Sequence, residues 1–266
     1  MIDNIGRSID YLRISVTDRC NLRCVYCMPP QGVPLRTHAD MLTYDQIVAF
    51  TALAVSLGVH KVRLTGGEPL VRRNLEQLIA MLSQIEGITD LALTTNGQLL
   101  QEKAAGLRAA GLHRVNVSLD TLDPMLYAQI TRGGALERAL AGIRAAQSAG
   151  LNPVKINCVV EGEHQEVQKE EMRRFAINEG LQVRFIHRMS LPSGRFSVVE
   201  GGSGGDCARC NRLRLTSDGM LMPCLFSDLA YSICSMGYSQ ALEAALLNKP
   251  PKGTYNLSEN FYTIGG

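Results

Sequence analysis

The chain has 266 residues, 45% of them apolar, with 27 basic and 25 acidic side chains and a formal charge of +2. That length suits one large α/β domain or a domain with an extension. The near-neutral balance gives no electrostatic case for nucleic acid or a membrane surface, so an anionic partner would need cations gathered in one site. Tryptophan is absent and aromatics make up only 5%, which weakens any base-stacking platform. No signal peptide is evident and no apolar run is long enough to span a membrane. The expectation is a cytoplasmic protein whose thiols stay reduced.

Strand-like and helix-like segments alternate along the chain. Short runs rich in branched residues predict strands at 12–16, 61–64, 91–94, 114–118, 154–160 and 182–186. Helical periodicity predicts helices at 44–57, 75–85, 99–110, 135–149 and about 167–178. Gly58, Gly111, Gly150 and Gly180 follow four of these, where a left-handed cap favours glycine. Six strand-then-helix units imply a parallel sheet with right-handed crossovers. The expected fold is α/β, an incomplete parallel (β/α)6 barrel with catalytic groups at the C-terminal strand ends.

The first strand leads into Cys20, Cys24 and Cys27. Three cysteines at this spacing fit an iron–sulfur cluster with one iron left open. They equally fit zinc with a fourth ligand from elsewhere, such as His38. The second strand leads into Thr65-Gly66-Gly67-Glu68-Pro69, where paired glycines let a ligand approach the backbone. A second triad, Cys207, Cys210 and Cys224, lies in the C-terminal part. Cys158 and Cys234 stand apart and read as small buried hydrophobes.

Residues two apart on a strand share a face. Lys61 and Arg63 therefore pair on the second strand, Arg114, Asn116 and Ser118 on the fourth, and Lys155 and Asn157 on the fifth, with Arg184 on the sixth. Arg212 and Arg214 share a side beyond the second triad. The intervening Val62, Leu64, Ile156 and Phe185 are apolar. These cations are expected to converge on a cavity that takes a polyphosphate, because buried charge demands a partner and guanidinium groups bind phosphate bidentately. The regular pattern ends near Ser190. The run Gly201-Gly202-Ser203-Gly204-Gly205 has the composition of a flexible linker, whether a natural loop or a splice. The division expected is a barrel at 1–189, a Gly/Ser-containing linker at 190–206 and a second-cluster region at 207–266.

The cysteine triad with the glycine loop resembles the radical S-adenosylmethionine (SAM) superfamily. Asp18-Arg19-Cys20-Asn21-Leu22-Arg23-Cys24, Thr65-Gly66-Gly67-Glu68-Pro69, Thr94-Thr95-Asn96-Gly97, Asn116-Val117-Ser118-Leu119-Asp120 and Cys210-Asn211-Arg212-Leu213-Arg214 are similar to the MoaA family. These are the GTP 3′,8-cyclases of molybdenum cofactor biosynthesis. The terminal Gly265-Gly266 is a further mark, and the likeness runs through nearly the whole chain.

The resemblance implies two [4Fe–4S] clusters. Cys20, Cys24 and Cys27 would hold the one that binds SAM. Cys207, Cys210 and Cys224 would hold the other, whose open iron takes the guanine base. Tyr26, Gly67, Ser118 and Met189 would line SAM. Arg7, Lys61, Arg63, Thr94, Lys155, Arg184, Arg212 and Arg214 would contact GTP, and Arg7, Gly265 and Gly266 would serve catalysis. The implied reaction forms (8S)-3′,8-cyclo-7,8-dihydroguanosine 5′-triphosphate through a 5′-deoxyadenosyl radical that takes the ribose H3′. The implied partners are a low-potential electron donor and a downstream cyclic pyranopterin synthase. Two alternatives are a two-cluster paralogue acting on another substrate, such as a peptide, and a cluster- or nucleotide-binding protein without turnover. The likeness departs at 190–206, where the family carries a longer segment that would pack around the active site, and at His187, where it usually carries Glu.

Overall fold

The computed structural model describes residues 1–34, 36–162, 165–257 and 261–264, without the side chain of His38. Six units follow one another. They are β1 (Tyr11–Ser15) and α1 (Tyr44–Ser56), β2 (Lys61–Thr65) and α2 (Leu75–Ser83), and β3 (Asp90–Thr95) and α3 (Leu100–Ala109). Then come β4 (Arg114–Ser118) with α4 (Pro124–Thr131) and α5 (Leu136–Ser148), β5 (Lys155–Val160) with α6 (Gln165–Asn178), and β6 (Gln182–His187). The C-terminal part adds β7 (Arg212–Leu215), β8 (Met220–Met222), β9 (Tyr231–Ser232), α7 (Ile233–Met236), α8 (Tyr238–Leu247) and α9 (Phe261–Ile264).

The sheet order is β6-β5-β4-β3-β2-β1-β7-β8-β9. Pairing from β6 through β1 to β7 is parallel; β8 and β9 are antiparallel additions. β6 and β9 end the sheet, so it is an open barrel with the expected six units. The region after the linker continues the sheet beyond β1, with Arg13 opposite Arg214. A parallel partner two hundred residues away leaves no local trace in sequence. α4 is also additional, and its start has a local cause: Asp123 caps it, accepting from Met125 N and Leu126 N, and Pro124 opens the first turn.

Alternation along the strands sorts the two faces. Leu12, Ile14, Val62, Leu64, Val115, Val117, Ile156, Leu213 and Leu215 are at most 1% exposed and pack under the helices. Tyr11, Arg13, Lys61, Arg63, Arg114 and Arg184 occupy the other parity and face the cavity. The four predicted cap glycines, Gly58, Gly111, Gly150 and Gly180, all have positive φ. At α1, Thr43 and Gln46 form a reciprocal capping box. Thr43→Ala should cost about 1 kcal/mol, read as a lowered midpoint in chemical denaturation with an unchanged slope.

Candidate active site

Both cysteine triads open onto one cavity of about 530 Å³ that runs the length of the parallel strands, the first triad after the C-terminal end of β1 and the second before the N-terminal start of β7, so not all candidate catalytic groups sit at the C-terminal strand ends as expected. Cys20, Cys24 and Cys27 lie on the loop after β1, turned by the amides of Cys27 and Met28 donating to Cys24 O at 3.0 and 3.1 Å. The Cys20 sulfur accepts from Leu22 N at 3.4 Å and from Asn96 Nδ2 at 3.9 Å. Burial pushes the Cys20 thiol up, and burial with the neighbouring thiols pushes Cys24 and Cys27 up to about 12. Three such sulfurs ionise only if a positive centre takes the protons' place, which iron does. Among the described residues no three ligand side chains converge on a point suited to a single ion. A cubane does not ask for that, since each thiolate meets a different iron. The donor set therefore fits a cluster.

The loop after β2 is built against this one. A Cβ on Gly67 would stand 2.4 Å from Arg19 O, and one on Gly66 2.6 Å from Thr17 O. The glycines thus serve the close approach of two backbones, besides lining the cavity. Glu68 follows, fully buried, and its carboxylate accepts from Leu70 N, Thr95 Oγ1 and Asn96 N at 3.0, 2.7 and 2.7 Å. Burial outweighs these bonds and raises its pKa to about 7. Tyr26 donates to Asp120 Oδ2 at 2.7 Å, and Val159 N donates to Asp120 Oδ1 at 2.8 Å. Tyr26, Gly67, Ser118 and Met189 all line the cavity near the first triad's strand ends.

Across the sheet runs a row of cations. Register places Arg214, Arg13, Arg63, Ala92 and Arg114 side by side on β7, β1, β2, β3 and β4. Adjacent strands lie about 4.8 Å apart, so the side chains of such a row stand close together. The neighbouring row is Arg212, Tyr11, Lys61 and Asp90. Arg63 and Arg212 flank the Tyr11 ring at 5.8 and 5.5 Å from its centroid.

Among the described residues, few carboxylates face this row. Asp90 pairs with Arg114, and Asp10 pairs with Lys61 at 3.0 Å. Among the described residues, Arg63, 4% exposed, hydrogen-bonds only the Thr94 hydroxyl at 3.3 Å through its side chain, and its Nε has no partner there, nor have the Nε atoms of Arg184 and Arg212. The resulting field acts on two groups. Burial, with Arg184, Arg114 and Arg63, pulls Lys155 down to about 8. Burial alone would raise Tyr11, but Arg63, Arg13, Arg212 and Arg114 pull it down to about 8. A site that disfavours a lysine's positive charge and favours a tyrosine's negative one suits a polyanion.

The second triad meets this row at the start of β7, with Cys207 and Cys210 just before that strand and Cys224 just after β8. The Cys210 thiol is drawn below its ordinary value, because Lys249, the Arg212 amide and the nearby arginines outweigh burial. Burial raises Cys224, against a hydrogen bond from the Phe226 amide. Amides donating to sulfur are a common feature of iron–sulfur sites and fit a cluster here too.

The segment 190–206 is folded against the barrel. Phe185 N and Glu200 O, and Glu200 N and Phe185 O, bond at 3.1 Å each. Gly205 has φ +79°, and a Cβ on it would overlap Ser197 O. Phe196, Val199 and Gly202–Asp206 line the cavity. His187 meets the carboxylate of Glu200 at 3.1 Å, and Glu200 also holds the buried Lys169 at 2.6 Å.

Most predicted site residues meet in the cavity: the six cysteines, Tyr26, Gly67, Ser118, Met189, Lys61, Arg63, Thr94, Arg184, Arg212 and Arg214. Lys155 is not among the lining residues, though Arg184, Arg114 and Arg63 act on its charge. Arg7 is elsewhere. Its guanidinium is bound to Asp3 at 2.6 Å and to the carbonyls of Cys207, Pro250 and Pro251 at 2.8–3.1 Å, so it holds a loop rather than a ligand. Arg13 stands in the row between Arg214 and Arg63, and parity with Tyr11 was the signal for it. Cys158 is buried as expected, but Cys234 is exposed, on the outer side of the short α7. Gly265 and Gly266 lie outside the described residues, as does the side chain of His38.

The radical SAM superfamily pattern matches residues 14–176. A GTP 3′,8-cyclase of Petrotoga mobilis is 43% identical over 98% of this chain and 95% of its own length. The chain belongs to the GTP 3′,8-cyclase family of radical SAM proteins. A second GTP 3′,8-cyclase, from Pelotomaculum thermopropionicum, is 45% identical over 85% of this chain and 84% of its own. The alignment with the Petrotoga cyclase runs over 314 positions, more than this chain's 266 residues, so that relative has residues without a counterpart here. Among solved structures, native anSMEcpe with bound AdoMet superposes with a TM-score of 0.66, covering 90% of this chain and 81% of that one. At 15% identity it shows the fold alone.

Proposed function

We propose that this chain converts GTP to (8S)-3′,8-cyclo-7,8-dihydroguanosine 5′-triphosphate with SAM and two [4Fe–4S] clusters. The observation that carries the reading is the arginine row running from the second triad across the cavity shared with the first. When bound, the cluster on Cys20, Cys24 and Cys27 supplies the electron that cleaves SAM and so begins the radical chemistry. The chain's own residues orient and enclose. Tyr26, Gly67, Ser118 and Met189 seat SAM beside the first triad. Arg13, Lys61, Arg63, Lys155, Arg184, Arg212 and Arg214 hold the triphosphate, and Thr94 fixes the Arg63 fork. The folded 190–206 segment closes the cavity side, which limits water and stray hydrogen donors near the ribose.

The same reading divides the chain at 189 and 206 and leaves a catalytic role for Gly265 and Gly266 resting on the resemblance. It also includes a low-potential electron donor, a cyclic pyranopterin synthase as consumer of the product, and a cytoplasmic setting, which the eight free cysteines support. No helix among the described residues is long and apolar enough to cross a membrane. Anaerobic incubation with SAM, dithionite and GTP tests the proposal. Mass analysis should find 5′-deoxyadenosine and an isomer of GTP. SAM cleavage without any change in GTP would point to another substrate.

Binding should also depend on pH. The Lys155 ammonium is disfavoured in the free cavity and favoured beside phosphate, so GTP binding takes up a proton near pH 8. Affinity therefore falls as pH rises through about 8. Ionisation of Tyr11 over the same range adds negative charge and acts in the same direction. Calorimetry in buffers of different ionisation enthalpy reads the proton directly. Equal affinity at about pH 7 and about pH 9 would remove Lys155 from the phosphate set.

A further inference from the structure

We propose that Lys249 is the positioning residue and fixed counter-charge of the second cysteine triad, an inference resting on the reading that this triad holds a cluster. Lys249 is 1% exposed and is absent from the cavity wall. Among the described residues it forms no ion pair with a carboxylate. Its Nζ donates to Arg212 O at 2.8 Å and to Pro223 O. Arg212 lies two residues after Cys210, and Pro223 one before Cys224. The ammonium thus pins together the two segments that carry these cysteines.

The residues that follow extend the same contact. Pro250 O and Pro251 O accept from Arg7, whose guanidinium also holds Cys207 O. Gly253 lies so close to Cys224 that a Cβ there would be 3.2 Å from the sulfur. Residues 249–253 therefore form a strap that reaches, directly or through Arg7, every segment bearing a cysteine of this triad.

A buried ammonium without an anion is costly, and carbonyl dipoles compensate it only in part. Thiolates beside it complete the compensation. Reducing the cluster by one electron adds one negative charge next to this fixed positive one, so Lys249 favours the reduced form and raises the reduction potential. A lysine that only tied carbonyls together would not set the potential.

The test uses the full-length chain carrying Cys20→Ala, Cys24→Ala and Cys27→Ala, reconstituted anaerobically with iron and sulfide. The parent should take up one cluster. Adding Lys249→Met should shift the midpoint potential, followed by electron paramagnetic resonance, to more negative values and speed iron loss to a chelator several-fold. Lys249→Arg should restore most of both. If the methionine variant holds no iron while the arginine variant does, the charge role stands. An unchanged potential with Lys249→Met overturns the inference. So do equal shifts in the two variants, or loss of iron from both, since each would mean that packing and not charge is at work. A parent chain that takes up no iron overturns the second-cluster reading itself, and this inference with it.

Discussion

Cys24→Ala should abolish 5′-deoxyadenosine formation and remove about half the iron, since one of two clusters loses a ligand. Cys24 is the middle ligand of the first loop, and its carbonyl already anchors the Cys27 and Met28 amides. Alanine keeps that backbone turn and removes only the sulfur. The second triad, which shares no residue with the first, should keep its iron. Iron per chain and mass analysis of the nucleoside read the two effects separately. Undiminished SAM cleavage in this variant would sink the assignment of the loop after β1.

Arg63→Met should weaken GTP binding by about 1.5–3 kcal/mol, or roughly 10- to 150-fold. Methionine keeps an apolar stem beside Tyr11 and removes the charge. Because Arg63 stands in a row with Arg13 and Arg214, its removal also relieves repulsion in the free protein. The melting temperature without nucleotide should therefore hold or rise while that with nucleotide falls. Opposite signs of this kind separate a ligand-binding cation from a structural one. Unchanged GTP affinity in calorimetry would count against the phosphate role.

Features written locally in the chain could be read before the fold was known. The cysteine triads are short-range patterns, and the cations on β2, β4, β5 and β6 follow a period of two that reveals which face they share. Arg13 obeys the same rule but sits inside a motif that draws notice to its cysteines. Arg7 is a cation near that motif, yet its partner is Asp3, four residues earlier, and its remaining donors go to a loop far along the chain. Nothing in its own neighbourhood announces that loop. The pairing of β7 with β1 has the same cause, as does the strap at 249–253. Both depend on contacts between ends of the chain, which composition and periodicity do not encode. The glycine-rich run at 201–205 shows composition misleading in the other direction. Glycine there meets close backbone contacts, with Val183 O and Ser197 O within 2.8 Å of the absent Cβ atoms.

That short run has a consequence for the company the protein keeps. β6 ends the sheet, and an end strand offers unpaired amides and carbonyls to any other strand that arrives. The bridge between Phe185 and Glu200 occupies both outward groups of Phe185 in mid-strand. An incoming strand would find its ladder interrupted at the centre, with a tight glycine turn in the way. An open barrel must leave a gap for its substrates, and a gap in a sheet is also an invitation to polymerise. A few residues folded back on β6 keep the opening for small molecules and close it to other chains.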